Sequence, residues 1–184
     1  MNTTNNQNKS EFILAAALVA IGIGTRLLFS SLHIYNFNAV LATTLFAGAF
    51  LRRSKWGYIV PLAVMLLTDA FLGFYDAQQM AVVYLSYAAV LLIGALYAKK
   101  PSLLGFIGVS VGGSLAFFLV TNFAFLPFYH QYPHTLAGMI ESYALALPFF
   151  KNSLMSDLLF SGILFGGFEA AKVFVPNKKL ALAN

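Results

Sequence analysis

The sequence predicts an all-α integral membrane protein with six transmembrane helices and both termini in the cytoplasm. Hydrophobic residues make up 60% of the 184 residues and charged residues only 9%, and the mean hydropathy is +0.79. A soluble domain of this size needs a charged surface, which 11 basic and 6 acidic residues cannot supply. We therefore expect lipid to surround most of the chain.

The second observation is the length of the apolar stretches. A helix needs about 20 apolar residues to cross the hydrocarbon core, with about 17 to 25 tolerated. Six stretches meet this requirement: residues 12–31, 34–51, 57–74, 81–98, 102–126 and 153–175. No signal-peptide cleavage site follows the first stretch, so we expect it to be retained. Residues 12–175 then form one membrane domain, between polar cytoplasmic tails at 1–11 and 176–184.

The third observation is the distribution of the basic residues. Cytoplasmic loops of membrane proteins carry an excess of Lys and Arg. With the N-terminus inside, only Lys151 lies on the outer side and Arg26 lies within the first span. The inner side holds the other nine basic residues, which are Lys9, Arg52, Arg53, Lys55, Lys99, Lys100, Lys172, Lys178 and Lys179. This bias predicts six spans with both termini inside.

The outer loop between the fifth and sixth spans, residues 127–152, is unusually long. Within it, residues 136–147 are apolar but too few to cross the membrane; Glu141 interrupts the segment and Pro148 closes it. We expect a short interfacial or re-entrant helix that covers the outer face. The alternative is a helix that lies on the lipid headgroups without a role.

Small residues recur in three of the predicted helices, where they let helix backbones approach closely. Gly105, Gly108, Gly112 and Gly113 in the fifth span and Gly162 and Gly166 in the sixth favour packing within the bundle. Ala16, Ala20 and Gly24 lie on one face of the first helix. That face could pack within the bundle or dock a second membrane protein.

Four polar residues lie at membrane depth, where such residues are costly and usually functional. Counting about 1.5 Å per residue from the span ends places Arg26, Asp69, Asn122 and Asp157 within roughly 8 Å of the outer boundary. Tyr84 and Tyr87 enter the same layer, and Asn38 and His134 lie in the loops above it. The layer could form a pocket open to the outside. Alternatively, Arg26 pairs with Asp69 or Asp157 to lock the bundle, and Asp157 lies favourably near a helix N-terminus.

Other functional classes lack support in the sequence. The chain has no cysteine, which excludes disulfides and thiolate chemistry. His130 and His134 are four residues apart, but Pro133 between them favours a turn over a helical metal site. H-E-x-x-H, phosphate-loop and dinucleotide motifs are absent from the sequence. We expect no enzyme activity, no catalytic or metal-binding residue, no cofactor and no nucleic-acid partner.

Several segments together resemble a known bacterial family. They are residues 36–40, 45–49, 61–63, 68–73, 121–123, 132–135 and 147–150, with Thr68-Asp69-Ala70-Phe71-Leu72-Gly73 and Tyr132-Pro133-His134-Thr135 among them. These runs resemble small membrane proteins that are usually grouped with the S components of energy-coupling-factor (ECF) vitamin transporters. The resemblance covers about residues 12–175.

The resemblance implies a six-helix, N-in and C-in subunit that binds a vitamin or similar solute near its outer face. It implies that Ala16 and Ala20 dock a transmembrane coupling subunit, whose partner ATPases hydrolyse ATP. We expect the substrate-binding residues to be Arg26, Asn38, Asp69, Tyr84, Tyr87, Asn122, His134 and Glu141, and the docking residues to be Ala16, Ala20 and Gly24. The expected location is the bacterial cytoplasmic membrane; the alternative function is a structural subunit or a membrane enzyme.

Overall fold

The computed structural model of the protein describes residues 2–98, 103–124 and 132–174, and the regular elements in these ranges are all α-helices. They form α1 (Asn2–Ser31), α2 (Val40–Phe50), α3 (Lys55–Leu72), α4 (Ala77–Tyr97), α5 (Leu103–Phe123) and α6 (Leu136–Phe174). Every helix except α2 is long and apolar enough to cross a membrane. The predicted helical fold class is therefore confirmed, and five helices agree with a membrane protein.

The outward faces of the helices are apolar. Phe71 of α3 is 77% exposed, Leu85 of α4 is 69% exposed and Leu136 of α6 is 69% exposed. Soluble monomers rarely expose large continuous apolar patches. These side chains are suited to contact with lipid tails.

Helix α2 is shorter than the predicted span at 34–51, because residues 34–39 form turns. Asn36 has a left-handed backbone with φ 60°, which asparagine tolerates better than most residues. The first amides of α2 are bound by side chains. The Asn38 Oδ1 accepts from the Val40 N–H at 3.0 Å, and the Thr25 Oγ1 accepts from the Ala39 N–H at 3.0 Å. These polar contacts start the helix at Val40, so its 11 residues extend only about 16 Å.

Helix α2 lies in the core of the bundle and packs closely against α4. Every residue from Val40 to Ala49 is buried. A methyl group added to Gly48 would collide with the Leu91 carbonyl oxygen, and one added to Gly94 would collide with the Leu45 carbonyl oxygen. The two glycines therefore allow the two backbones to touch.

The glycines that were expected to pack within the bundle behave differently. Added Cβ atoms at Gly108, Gly112, Gly162 and Gly166 would meet nothing within 4 Å, whereas Gly113 lies against Leu41. Packing by small residues is thus observed mainly between α2 and α4, and the prediction for α5 and α6 is not confirmed at those four positions.

Contacts along α1 and α3 show that these two helices run parallel. The Phe12 and Trp56 rings, each in the N-terminal half of its helix, lie 4.9 Å apart, and Arg26 pairs with Asp69 near the C-terminal ends of the two helices. Residues 32–54 therefore connect opposite ends of the bundle. We call the end with Arg26 and Asp69 the polar end.

The opposite end holds a cluster of aromatic rings from four helices and is here called the aromatic end. Its rings include Phe46, Phe50, Tyr97, Phe106 and Phe165. Helix α5 runs from this end towards the polar end and α6 runs back, because Phe106 contacts Phe165 and Ser114 bonds to Asp157.

Helix α6 is continuous for 39 residues and contains Pro148. The prediction of a separate short helix before a span at 153–175 is not confirmed, since both segments belong to α6. A proline inside a helix removes one backbone hydrogen bond. A break at membrane depth would leave several backbone groups without partners.

The predicted spans at 57–74, 81–98 and 102–126 correspond to α3, α4 and α5. Helices α3, α4 and α5 begin and end within four residues of the predicted limits. Helix α1 begins at Asn2, so the predicted tail at 1–11 is helical where it is described. Lys99, Lys100 and the predicted tail at 176–184 lie outside the described residues.

Replacing Gly48 by alanine should destabilise the bundle, because the new methyl group meets backbone that cannot yield easily. We expect a loss of about 1–3 kcal/mol, the usual cost of overpacking. Gly112→Ala is the matched control, since its methyl group would meet nothing. Thermal unfolding in detergent, followed by the fluorescence of the single tryptophan Trp56, measures both. Equal melting temperatures for the two variants would contradict the close α2–α4 packing.

Candidate ligand-binding cavity

An ion pair joins α1 to α3 at the polar end. The Arg26 Nη2 lies 2.7 Å from the Asp69 Oδ1, and the Asp69 side chain is 1% exposed. The Arg26 Nη1 donates to the Thr68 hydroxyl and to the Met65 Sδ at 3.4 Å. The charge of Asp69 is therefore neutralised inside the bundle, as burial of a carboxylate requires.

Helix α4 contributes a further hydrogen bond to this pair. The Tyr84 hydroxyl donates to the Asp69 Oδ2 at 2.8 Å. Both carboxylate oxygens of Asp69 are thus occupied, one by a cation and one by a phenol. Arg26, Thr68, Asp69 and Tyr84 form a polar cluster, here called the Arg26 cluster, that holds α1, α3 and α4 together.

Beside the Arg26 cluster lies a cavity of about 350 Å³. Ligand pockets usually have volumes of about 300–1,000 Å³, so the cavity is large enough for a small organic molecule. All six helices contribute side chains to its wall, with Leu41 coming from α2. The α1–α2 connection adds Asn36 and the α3–α4 connection adds Tyr75.

The polar lining of the cavity is rich in amides. Asn36 and Asn38 come from the α1–α2 connection, Gln79 from the first turn of α4, and Asn122 from α5. Arg26 and Asp157 supply the charged groups of the lining, and Ser114, Thr121 and Ser153 supply hydroxyls. Such side chains can orient a polar ligand by hydrogen bonds.

The apolar lining is mostly aromatic. The rings are those of Tyr75, Tyr87, Phe117, Phe118, Phe149 and Phe150. Tyr87 and Phe117 have ring centroids 4.9 Å apart, and Phe118 and Phe150 have centroids 4.5 Å apart. Paired rings give large, stiff contact surfaces that favour flat ligands.

Among the hydrogen bonds that link α5 to α6, two hold residues of the cavity wall. The Ser114 hydroxyl donates to the Asp157 Oδ2 at 2.6 Å. The Ser142 hydroxyl donates to the Asn122 Oδ1 at 3.5 Å, while the Asn122 Nδ2 donates to the Phe118 carbonyl oxygen at 2.8 Å. Asp157 and Asn122 are thus positioned by neighbouring helices.

The predicted substrate-binding residues separate into three groups. Arg26, Asn38, Tyr87 and Asn122 line the cavity. Asp69 and Tyr84 lie behind Arg26 and do not line it. His134 and Glu141 are exposed near the start of α6 and are not brought to the cavity wall.

Several lining residues were not among the predicted substrate-binding residues. Asp157 was recognised only as part of the polar layer. Ser114, Phe117, Phe118 and Thr121 share one face of α5, because they are spaced i, i+3, i+4 and i+7. Counting back from Asn122 in steps of four residues reaches Phe118 and Ser114 of this face.

The predicted docking stripe lies on the outer face of α1. Ala16, Ala20 and Gly24 are exposed, and a Cβ at Gly24 would meet nothing within 4 Å. The buried face of α1 instead carries Ala15 and Leu18. The stripe is therefore not used for packing within the described bundle.

One sequence motif, at residues 108–112, bears on the expectation that the chain is not an enzyme, because hydrolases use the same pattern around a nucleophilic serine. Residues 108–112 match the G-x-S-x-G pattern of hydrolases. That pattern places the serine on an exposed turn between a strand and a helix, whereas Ser110 lies within α5 and is fully buried. The match therefore gives no support for a nucleophilic serine. Among the described residues, no group of three His, Asp or Glu side chains could hold a metal ion.

A helical bundle with apolar outer faces and five helices long and apolar enough to cross a membrane is consistent with the class of helical membrane proteins. The chain is a member of the family of unknown function DUF6580, whose sequence profile matches residues 6–178. No curated protein and no solved structure matches the chain.

The Arg26–Asp69 pair can be tested by a double-mutant cycle. Arg26→Gln or Asp69→Asn alone leaves a buried charge without its partner, which costs about 3–5 kcal/mol in buried pairs. We expect the double variant to be more stable than the sum of the two single losses predicts. Thermal unfolding of the four proteins in detergent gives the coupling energy. Additive losses would contradict the pairing of these two groups.

Proposed function

We propose that the protein is the substrate-binding membrane subunit of an uptake system, similar to the S components of ECF transporters, for a vitamin or a similar small solute. The observation that carries this proposal is the cavity of about 350 Å³, lined by amides, aromatic rings and two charged side chains. A subunit with a purely structural role needs no ligand-sized space within its bundle.

In this proposal the chain crosses the bacterial cytoplasmic membrane six times, with both termini inside. The parallel course of α1 and α3 supports the sixth crossing, because residues 32–54 return the chain to the aromatic end through α2. Arg52 and Arg53 lie between α2 and α3 at that end, and Lys55 begins α3, as expected for a cytoplasmic loop. The polar end and its cavity then face the outside.

The exposed stripe of Ala16, Ala20 and Gly24 supports the docking of a partner helix. Small residues on an otherwise unpacked face allow a second membrane protein to approach the α1 backbone. The proposed partner is a transmembrane coupling subunit with associated ATPases. Its docking would release the solute inward.

Filling the cavity should abolish ligand capture. Ala146 lines the cavity, and a tryptophan there would occupy space that a ligand needs. Ala144 is exposed on the same helix, so Ala144→Trp is the matched control. Native mass spectrometry of detergent-purified protein from its own host should detect a small molecule on the wild type and the control but not on Ala146→Trp.

A bare protein mass for the wild type, together with no binding across a vitamin panel, would contradict the uptake proposal and favour a structural subunit. Retention of the same molecule by Ala146→Trp would place its site elsewhere.

The docking surface can be tested independently of the ligand. Ala20→Trp should reduce recovery of the coupling subunit at least about tenfold when the tagged protein is purified from host membranes, because close helix contact is lost. Leu92→Trp places the same side chain on an exposed face of α4 and serves as the control. Equal loss of the partner in both variants, or no loss in either, would contradict docking through α1.

A further inference from the structure

Asp157 is a buried carboxylate on the cavity wall with spare hydrogen-bonding capacity. Asp157 is 3% exposed, and its Oδ2 accepts a hydrogen bond from the Ser114 hydroxyl. Within the described ranges, no donor reaches its Oδ1 and no basic side chain forms an ion pair with it. As an anion, Asp157 would be a buried charge without a partner, which is costly. A bound cation at this position would remove that cost.

The other charged group of the lining does not supply that cation. Arg26 lies 2.7 Å from Asp69 and also bonds to Thr68, so the Arg26 cluster carries no net charge. Lys151, six residues before Asp157 on α6, is exposed and does not line the cavity. The described cavity wall therefore has one carboxylate in excess.

The aromatic rings around the cavity are suited to the same kind of ligand. Ring faces carry negative electrostatic potential and attract cations placed above them. Tyr87, Phe117, Phe118 and Phe150 form two ring pairs in the wall. A flat organic group with a positive charge would contact these rings and the carboxylate together.

We propose that the cavity binds an organic nitrogen cation, a protonated amine or a quaternary nitrogen attached to a flat ring, with its charge held by Asp157. This inference depends on the proposed function and narrows its solute to a cationic class. The amides of Asn38, Gln79 and Asn122 would bind polar groups elsewhere on the ligand.

An inorganic cation is the competing occupant of the same carboxylate. Ser110 and Ser161 lie one helical turn beyond Ser114 and Asp157 towards the aromatic end, and their fully buried hydroxyls have no hydrogen-bond partner. Hydroxyl and carboxylate oxygens also bind Na⁺. The volume of about 350 Å³ and the aromatic walls exceed what a bare ion needs, so they favour the organic cation.

The test has two parts: the charge of the ligand bound to the wild-type protein is determined, and the binding of charged and neutral probes is compared between the wild type and Asp157→Asn. Ligand extracted from the purified wild-type protein is fractionated by ion exchange, and binding of phenethylamine, benzyltrimethylammonium, 3-phenylpropionate and 3-phenylpropanol is measured in detergent. We expect a cationic ligand and preference for the two cationic probes. Asp157→Asn should weaken their binding about tenfold or more, since a charge-assisted contact is lost. Glu169→Gln, an exposed carboxylate on α6, should leave binding unchanged.

The outcomes separate the inference from the proposed function. An anionic or neutral ligand, unchanged cation binding by folded Asp157→Asn, or stabilisation by NaCl without any organic ligand would overturn the inference and leave the uptake proposal standing. If Asp157→Asn does not fold, the charge of the ligand extracted from the wild type tests the inference alone: a cation supports it, and an anion or a neutral molecule overturns it. A wild-type protein that binds neither ligand nor probe contradicts both.

Discussion

The arrangement of the polar end depends on one requirement, that the carboxylate of Asp69 be neutralised inside the bundle. Arg26 neutralises it across the α1–α3 contact, while Tyr84 occupies its second oxygen from α4. Three helices are therefore fixed relative to one another by a single buried charge. The guanidinium of Arg26 faces the cavity from a fixed position, and because Asp69 neutralises it, the charge of the cavity wall is left to Asp157.

The short helix α2 explains why space exists beside this pair. Its 11 residues are too few to cross the membrane, and the turns at 32–39 complete the connection at the polar end. Asn38 binds the first amide of α2 and also lines the cavity. The close backbone contact at Gly48 of α2 and Gly94 of α4 keeps α2 in the core towards the aromatic end. Dense packing at one end and a polar opening at the other follow from the placement of α2.

Counting residues from the ends of apolar stretches was sufficient to predict the helical class and the polar layer, because helix rise is constant. It brought Arg26, Asn122 and Asp157 to one depth. It could not show that Asp69 lies behind Arg26, since depth does not give the direction of a side chain around the helix. Pro148 was interpreted as a helix end, but α6 continues through it, because a proline inside a helix removes only one backbone hydrogen bond. His134 and Glu141 were expected over the cavity because a separate short helix was expected to cover it. Since that segment is part of α6, His134 lies exposed just before the helix and Glu141 lies exposed in its first turns.

A crystal structure of the protein purified from its own host would test the central claim, that the polar end holds a ligand site, most directly. The cavity should contain non-protein density in contact with Asn122 and Asp157 and stacked against the rings of α5 and α6. Closure of this space by side chains of α5 and α6, or density for ordered water alone in protein saturated with candidate solutes, would contradict a ligand-binding role for this end of the bundle.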